Sequence, residues 1–148
     1  MKQIESNSLG YLLSTCNNQL IRLLNRELSN AKLELTREQY IVLSILWEKD
    51  LVSQQSLADA LGKDKYSITK LIDGLEKRKL VKRISSENDR RVKLIKVTPK
   101  ALEIRPSIRK VVDATITKAM WNIPGKDMEA AKSVLEKIII NVNTFHET

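Results

Sequence analysis

The residues most capable of chemistry in this chain are cations, and they are concentrated in one segment. Residues 63–100 contain thirteen Lys or Arg and five Asp or Glu, which gives a net charge of +8. The other 110 residues contain thirteen of each and sum to zero. A neutral body with one basic segment indicates an anionic partner rather than a general need for solubility.

The residue types that most enzymes need are scarce. The 148-residue chain has one cysteine, Cys16, one histidine, His146, and four glycines. That inventory excludes a Cys/His zinc site and a glycine-rich phosphate loop, and it leaves little for a nucleophile and its base. No pair of acidic residues stands out for carboxylate catalysis, so we expect no enzyme activity, no metal and no cofactor.

The sequence gives no sign of a membrane segment. The longest apolar run, Tyr40–Trp47, has eight residues and includes Ser44, well short of the ~18–20 residues of a transmembrane helix. The first eight residues lack the basic-then-apolar order of a signal peptide. We therefore expect a cytoplasmic protein.

Hydrophobic periodicity and capping residues predict six helices and one β-hairpin. Thr36, Ser53 and Asp64 are typical helix starts, and Gly62 is a typical helix end. After the fourth helix the hydrophobic period changes from that of a helix to two, which predicts strands. The predicted helices are 9–28, 36–48, 53–61, 64–78, 99–121 and 126–145, and the predicted strands are 81–85 and 92–97.

The order of these elements is that of a winged helix-turn-helix. Two short helices, 53–61 and 64–78, are joined by a turn at Gly62 and followed by the hairpin. The second helix of such a pair fits the ~12 Å major groove of DNA. The hairpin loop can place guanidinium groups in the minor groove, where the potential is most negative. We therefore expect a mainly α fold with a small β-hairpin and a DNA-binding region at residues 36–98.

At these residues the sequence resembles the MarR family of bacterial transcription regulators. The segment Leu61–Glu76 follows the family's pattern for the turn and second helix, and Asp89-Arg90-Arg91 through Val97-Thr98 follows its pattern for the wing. One departure is Lys79, which stands where the family usually has a glycine, so a non-glycine residue is expected in the left-handed conformation.

The resemblance covers essentially the whole chain and implies an assembly. It implies a homodimeric repressor, or less often an activator, that binds double-stranded DNA and in many relatives responds to a small-molecule effector. The helices that flank the DNA-binding region, at residues 1–35 and 99–148, would build the dimer. Two rival interpretations are a winged helix that serves as a protein-interaction module without specific DNA readout, and an enzyme on an all-helical frame.

Eight residues are predicted to contact DNA. By the resemblance, Ser67, Thr69 and Lys70 belong to the recognition helix, and Arg91 is the arginine that enters the minor groove. The full set is Lys65, Tyr66, Ser67, Thr69, Lys70, Arg90, Arg91 and Lys93.

Each of these residues also has a purely structural interpretation. The arginines could occupy a solvated hairpin tip, or Arg91 could form an ion pair with Asp89 or Asp73, and the lysines could be ordinary surface residues. Asp73 lies on the same helix face as the predicted contacts but would repel phosphate. We therefore expect Asp73 to pair with an arginine of the wing.

Three aromatic residues, Tyr11, Tyr40 and Trp47, are predicted to line an effector cleft where the first, second and fifth helices converge. Core packing is the favoured alternative for each of them. Cys16 lies on the leucine stripe of the first helix, so we interpret it as a small hydrophobic core residue rather than as a redox sensor.

Overall fold

The computed structural model describes residues 8–146, which contain six helices and a three-stranded sheet. The helices are α1 (Leu9–Asn30), α2 (Arg37–Glu48), α3 (Gln54–Leu61), α4 (Lys65–Lys77), α5 (Pro99–Ala119) and α6 (Gly125–His146). The strands are β1 (Val52–Ser53), β2 (Val81–Ser85) and β3 (Lys93–Val97). Every predicted helix is present within two residues of its expected bounds, so the mainly α fold is confirmed. The parts of the predicted dimerisation region at residues 1–7 and 147–148 lie outside the described residues.

Three helices begin where their capping side chains predict, namely α2 at Thr36, α3 at Ser53 and α4 at Asp64. The Thr36 hydroxyl accepts from the Gln39 backbone N–H at 3.2 Å, and the Gln39 side chain accepts from the Thr36 N–H at 3.1 Å, which completes a capping box. The Ser53 hydroxyl accepts from the third residue of α3 at 3.0 Å. Each cap satisfies backbone N–H groups that have no partner inside the helix.

Two turns are closed by residues in the left-handed conformation. Gly62 ends α3 with φ 60°, and Lys79 follows α4 with φ 61°. The left-handed conformation predicted at Lys79 is therefore confirmed. Its backbone N–H donates to the Glu76 carbonyl at 2.9 Å, and its own carbonyl accepts from the Thr98 hydroxyl at 2.6 Å.

The sheet contains one strand that the sequence analysis missed. All pairs are antiparallel in the order β1-β3-β2, with Val52 opposite Ile95 and Val81 opposite Val97. The wing hairpin of β2 and β3 was predicted, although β3 begins at Lys93 rather than at Val92. Strand β1 has only two residues, which is too short for an alternating pattern to reveal.

The helix-turn-helix and the sheet close around one hydrophobic core. Truncating a fully buried Leu to Ala in such a core costs about 2–5 kcal/mol, because the cavity left behind does not collapse completely. On the inner face of α4, Ile68, Ile72 and Leu75 are buried, whereas Leu71 is only partly buried. The largest fully buried side chains of this core are Val42, Leu43, Leu46, Leu57, Ile68, Ile72, Leu75, Leu80, Val81, Ile95 and Ile108.

The first half of α1 is exposed in the single chain. Leu9, Leu12 and Leu13 are exposed, and the helix is fully buried only near its end, at Leu28. Cys16 is exposed as well. The prediction that Cys16 belongs to the core is therefore wrong for the single chain, because the described residues leave Cys16 exposed.

The chain divides into two compact units, one ending at Thr115 and one beginning at Ile116. In the second unit, α6 has no buried residue among those described. Its large apolar side chains are exposed at Val134, Leu135, Ile139, Ile140 and Val142. Among the described residues, none of the helices combines the length and the hydrophobicity of a membrane-spanning segment.

Candidate nucleic-acid interface

The recognition helix α4 is fixed at its start by Asp64. The backbone N–H of Ser67 donates to the Asp64 carboxylate at 2.7 Å. This hydrogen bond, with a second from the Ser67 hydroxyl, lowers the pKa of Asp64 below its ordinary value. The carboxylate is thus ionised at neutral pH, and its negative charge interacts favourably with the positive end of the helix dipole.

The five predicted contact residues of α4 differ in accessibility. Lys65, Tyr66 and Lys70 are exposed, and Tyr66 exposes 71% of its surface. The Lys70 ammonium lies 5.5 Å from the centre of the Tyr66 ring. Ser67 and Thr69 are partly buried. Among the five predicted contacts, the accessible side chains are therefore two lysines and one tyrosine.

The Thr69 hydroxyl is engaged within the protein. It donates to the Lys65 carbonyl at 2.7 Å and accepts from the Gln54 side-chain amide at 3.0 Å. The first of these bonds stays within α4, and the second joins α4 to the start of α3. Thr69 therefore helps to hold the two helices of the helix-turn-helix together.

Arg83 connects the wing to both helices. Its side chain, 20% exposed, donates through Nη1 to the Asp73 carboxylate at 2.7 Å and to the Glu76 carboxylate at 3.1 Å. Its Nε donates to the Gln54 side-chain oxygen at 3.1 Å, and its Nη2 donates to the Thr69 carbonyl at 3.2 Å. One guanidinium group thus joins β2 to α3 and α4.

The sequence analysis did not predict a role for Arg83, although the alternation of β2 indicated one. Alternation along β2 places Arg83 on the same face as the buried Val81, and an arginine on a buried face needs partners. The prediction that Asp73 pairs with a wing arginine is confirmed, and the partner is Arg83 in the first wing strand. Asp73 does not pair with Arg91.

The wing tip presents arginine to solvent. Asp89 accepts from the Arg91 backbone N–H at 3.0 Å and from the Arg91 guanidinium at 3.2 and 3.3 Å. The guanidinium, followed by the backbone N–H, lowers the pKa of Asp89. The Arg91 side chain nevertheless remains 91% exposed. The ion pair orients this guanidinium without burying it, and Arg90 beside it is also exposed.

A groove separates the wing from the starts of α3 and α4. It has a volume of about 370 Å³ and is lined by Ser53, Gln54, Gln55, Lys65, Ile68, Arg91, Val92 and Lys93. Three of these residues are cations and none is acidic. Lys93 also donates to the Ser85 hydroxyl at 3.0 Å, which holds it along the wing. Three of the eight predicted contacts, Lys65 of α4 and Arg91 and Lys93 of the wing, thus meet around one positively charged groove.

The predicted effector residues are brought together only in part. The rings of Tyr40 and Trp47 lie 6.5 Å apart, and the Arg105 guanidinium lies 5.3 Å from the Trp47 ring. Tyr40 and Trp47 both pack on the core. Tyr11 is 42% exposed and makes no ring contact with either of them in the described residues. The indole N–H of Trp47 is buried without a hydrogen-bond acceptor in that same part of the chain.

A second cleft lies beside the recognition helix and was not predicted. It has a volume of about 510 Å³ and lies between α1, α2 and α4. Ile21 and Asn25 line it from α1, and Ser67 and Lys70 line it from α4. Among the described residues there is no group of three His, Cys, Asp or Glu placed to hold a metal ion.

Comparison with known proteins agrees with this architecture. The family model "MarR family" matches residues 35–93. The HTH-type transcriptional regulator MgrA of Staphylococcus aureus is 30% identical over 130 residues, covering 86% of this chain and 85% of that protein.

Two solved structures extend the likeness to nearly the full length. A MarR-family transcriptional regulator from Rhodococcus sp. RHA1 is 30% identical, with a TM-score of 0.82, and the match covers 93% of this chain and 96% of the other. CouR from Rhodococcus jostii RHA1, in a crystal structure with bound p-coumaroyl-CoA, is 29% identical with a TM-score of 0.79, covering 93% and 95%. This chain therefore belongs to the MarR family of transcriptional regulators.

Proposed function

We propose that this protein is a sequence-specific DNA-binding regulator that acts as a homodimer on a pseudo-palindromic operator. The observation that carries the proposal is the positively charged groove, in which α4 and the wing present cations side by side. Lys65, Arg91 and Lys93 meet there without an acidic neighbour among the lining residues. A surface of this kind suits the phosphate backbone between a major groove and the adjacent minor groove.

The proposal assigns the two elements different tasks. The exposed side chains of α4 face the major groove, where base edges carry a distinct pattern of donors and acceptors. Arg91, held by Asp89, enters the minor groove, and Arg90 and Lys93 contact the flanking phosphates. Ser67 and Thr69 lie at the edge of this surface because both are partly buried.

Dimerisation is supported by the exposed apolar side chains of α6 and of the first half of α1. Monomeric proteins rarely leave such large apolar stripes in water. A two-fold dimer would bury them at an isologous interface. The same symmetry would place two recognition helices about 34–36 Å apart, one turn of DNA. In this proposal residues 36–98 bind DNA, and residues 1–35 and 99–148 build the dimer.

Repression and release by an effector complete the proposal. Repression is the commoner role that the family implies, and the ligand-bound structure of CouR supports a small-molecule effector. The predicted site is at Tyr11, Tyr40 and Trp47. Tyr40→Ala should weaken the response to any effector found by thermal-shift screening. A response lost instead in Asn25→Ala would move the site to the cleft between α1, α2 and α4.

Selection of bound sequences from a random DNA pool tests the central proposal. We expect enrichment of a palindrome whose affinity falls linearly with salt on logarithmic axes, with a slope of about −0.9 per phosphate contacted. Lys65→Ala should reduce that slope. Lys110→Ala is the matched control, because Lys110 is exposed on α5 outside the basic segment. A pool without enrichment would instead support the protein-interaction module.

A further inference from the structure

The side chains of the recognition helix differ in how many hydrogen bonds they can still make to DNA. A hydroxyl group has one donor and two acceptor lone pairs. In Thr69 the donor is used by the Lys65 carbonyl, and one lone pair is used by Gln54. The Thr69 hydroxyl therefore cannot donate to a base without breaking a bond that holds α4 in place.

Tyr66 and Lys70, in contrast to the Thr69 hydroxyl, are accessible to DNA. Both are exposed and lie one turn apart on α4, and the Lys70 ammonium is 5.5 Å from the Tyr66 ring centre. An ammonium within about 6 Å of an aromatic face is attracted by the ring quadrupole. This attraction draws the Lys70 ammonium towards the start of the helix, which is the end that meets base edges in helix-turn-helix proteins.

We propose that Lys70, positioned by the Tyr66 ring, reads a guanine in each half-site, and that Thr69 fixes the helix rather than reading a base. This inference rests on the proposed function. Guanine offers two acceptors, O6 and N7, in the major groove. The ammonium of Lys70 has three donors and no acceptor, so it matches guanine and leaves the amino groups of adenine and cytosine unpaired.

The role of Tyr66 follows from the flexibility of lysine. A lysine stem samples many rotamers, and ordering it against a base reduces its conformational freedom. The ring holds the ammonium near the required place before DNA arrives, so less freedom is lost on binding. Tyr66 is thus a positioning residue for Lys70. Its hydroxyl is not needed for this task, whereas its aromatic face is.

The test measures base preference at every position of the selected half-site, for the wild type and a set of variants. Replacement of the guanine should weaken wild-type binding about 5- to 150-fold. Lys70→Met should remove that preference and keep the others. Tyr66→Phe should behave as wild type, whereas Tyr66→Leu should lose a large part of the guanine preference. Thr69→Val should lower thermal stability without changing the base preferences.

Lys65→Met is the matched control, because Lys65 is an exposed lysine of the same helix. It should weaken binding to all sequences alike. The inference is overturned if Lys70→Met also weakens all sequences by one common factor, because Lys70 then contacts phosphate. Equal behaviour of Tyr66→Leu and Tyr66→Phe would overturn the positioning role, and a base preference lost in Thr69→Val would assign the reading to Thr69. A wild-type protein without any base preference would instead overturn the proposed function.

Discussion

Replacing Arg83 by methionine should loosen the wing from the recognition helix while leaving the hydrophobic core intact. The side chain of Arg83 makes two ion pairs, with Asp73 and Glu76, and donates two further hydrogen bonds, to Gln54 and to the Thr69 carbonyl. Methionine keeps the length of the stem and removes all four contacts. The hairpin pairing between β2 and β3 is backbone hydrogen bonding and should survive.

The expected cost follows from the exposure of the partners. The side chains of Asp73 and Glu76 are 60% and 44% exposed, so each ion pair is screened and contributes about 0–1 kcal/mol. The two hydrogen bonds to partly buried acceptors contribute about 1 kcal/mol each. The free energy of unfolding should therefore fall by about 2–4 kcal/mol, which lowers Tm by roughly 5–15 °C in a chain of this size.

The effect on DNA binding should be coupled to Arg91. If Arg83 fixes the wing where Arg91 meets the minor groove, then Arg83→Met removes part of what Arg91 contributes. The double variant with Arg91→Ala should lose less affinity than the sum of the single losses, with a coupling of about 1 kcal/mol. Lys82→Met is the control, because Lys82 is exposed on the same strand.

Thermal unfolding followed by circular dichroism and anisotropy of a labelled operator at fixed salt measure these quantities. The control should show an unchanged Tm and an additive double variant with Arg91→Ala. An unchanged Tm for Arg83→Met would refute the energetic reasoning. Strict additivity with Arg91→Ala would refute the positioning of the wing.

Four further predictions concern single elements. Arg91→Ala should weaken operator binding by about 1–3 kcal/mol in a titration at fixed salt and relax discrimination at an A·T-rich position; unchanged affinity would contradict the assignment. Asp64→Ala should lower the Tm at neutral pH, because the variant loses the helix cap. The Tm difference between wild type and variant should persist into the ordinary carboxyl range and disappear only as the pH falls through the lowered pKa of Asp64. A Tm difference that grows towards acid pH would contradict this prediction. Removing residues 125–148 should abolish the dimer and most specific binding together, as light scattering and DNA titration will show; a truncated chain that stays dimeric would contradict it. Cys16 should react slowly with a thiol reagent in the dimer and quickly in this truncated chain, and equal rates would place Cys16 outside the interface.

The helix starts were predictable because their causes are local. A capping side chain acts on a backbone N–H two or three residues away, so Thr36, Ser53 and Asp64 reveal the starts of α2, α3 and α4 in the sequence itself. The left-handed conformation of Lys79 was predictable from the family resemblance instead, because a glycine usual at this position indicates a turn that requires a positive φ.

The connections within the interface were not predictable in this way. Gln54, Thr69 and Arg83 meet across separations of 14, 15 and 29 residues. No periodicity links positions so far apart, and each side chain is also common on protein surfaces. The sequence therefore indicated which residues lie on α4 and the wing, but not which hydroxyl is already engaged. That distinction decides which of them can read a base.

Hydrophobic periodicity marks a face that prefers burial, but it does not say what covers that face. On α4 the stripe of Ile68, Ile72 and Leu75 is covered by the same chain. On α6 and the first half of α1 the same kind of stripe remains exposed. Cys16 illustrates the consequence, since its pattern is that of a core residue whereas the single chain leaves it in solvent. A second copy that covers these stripes would bring the pattern and the exposure into agreement, because the buried state would then belong to the dimer.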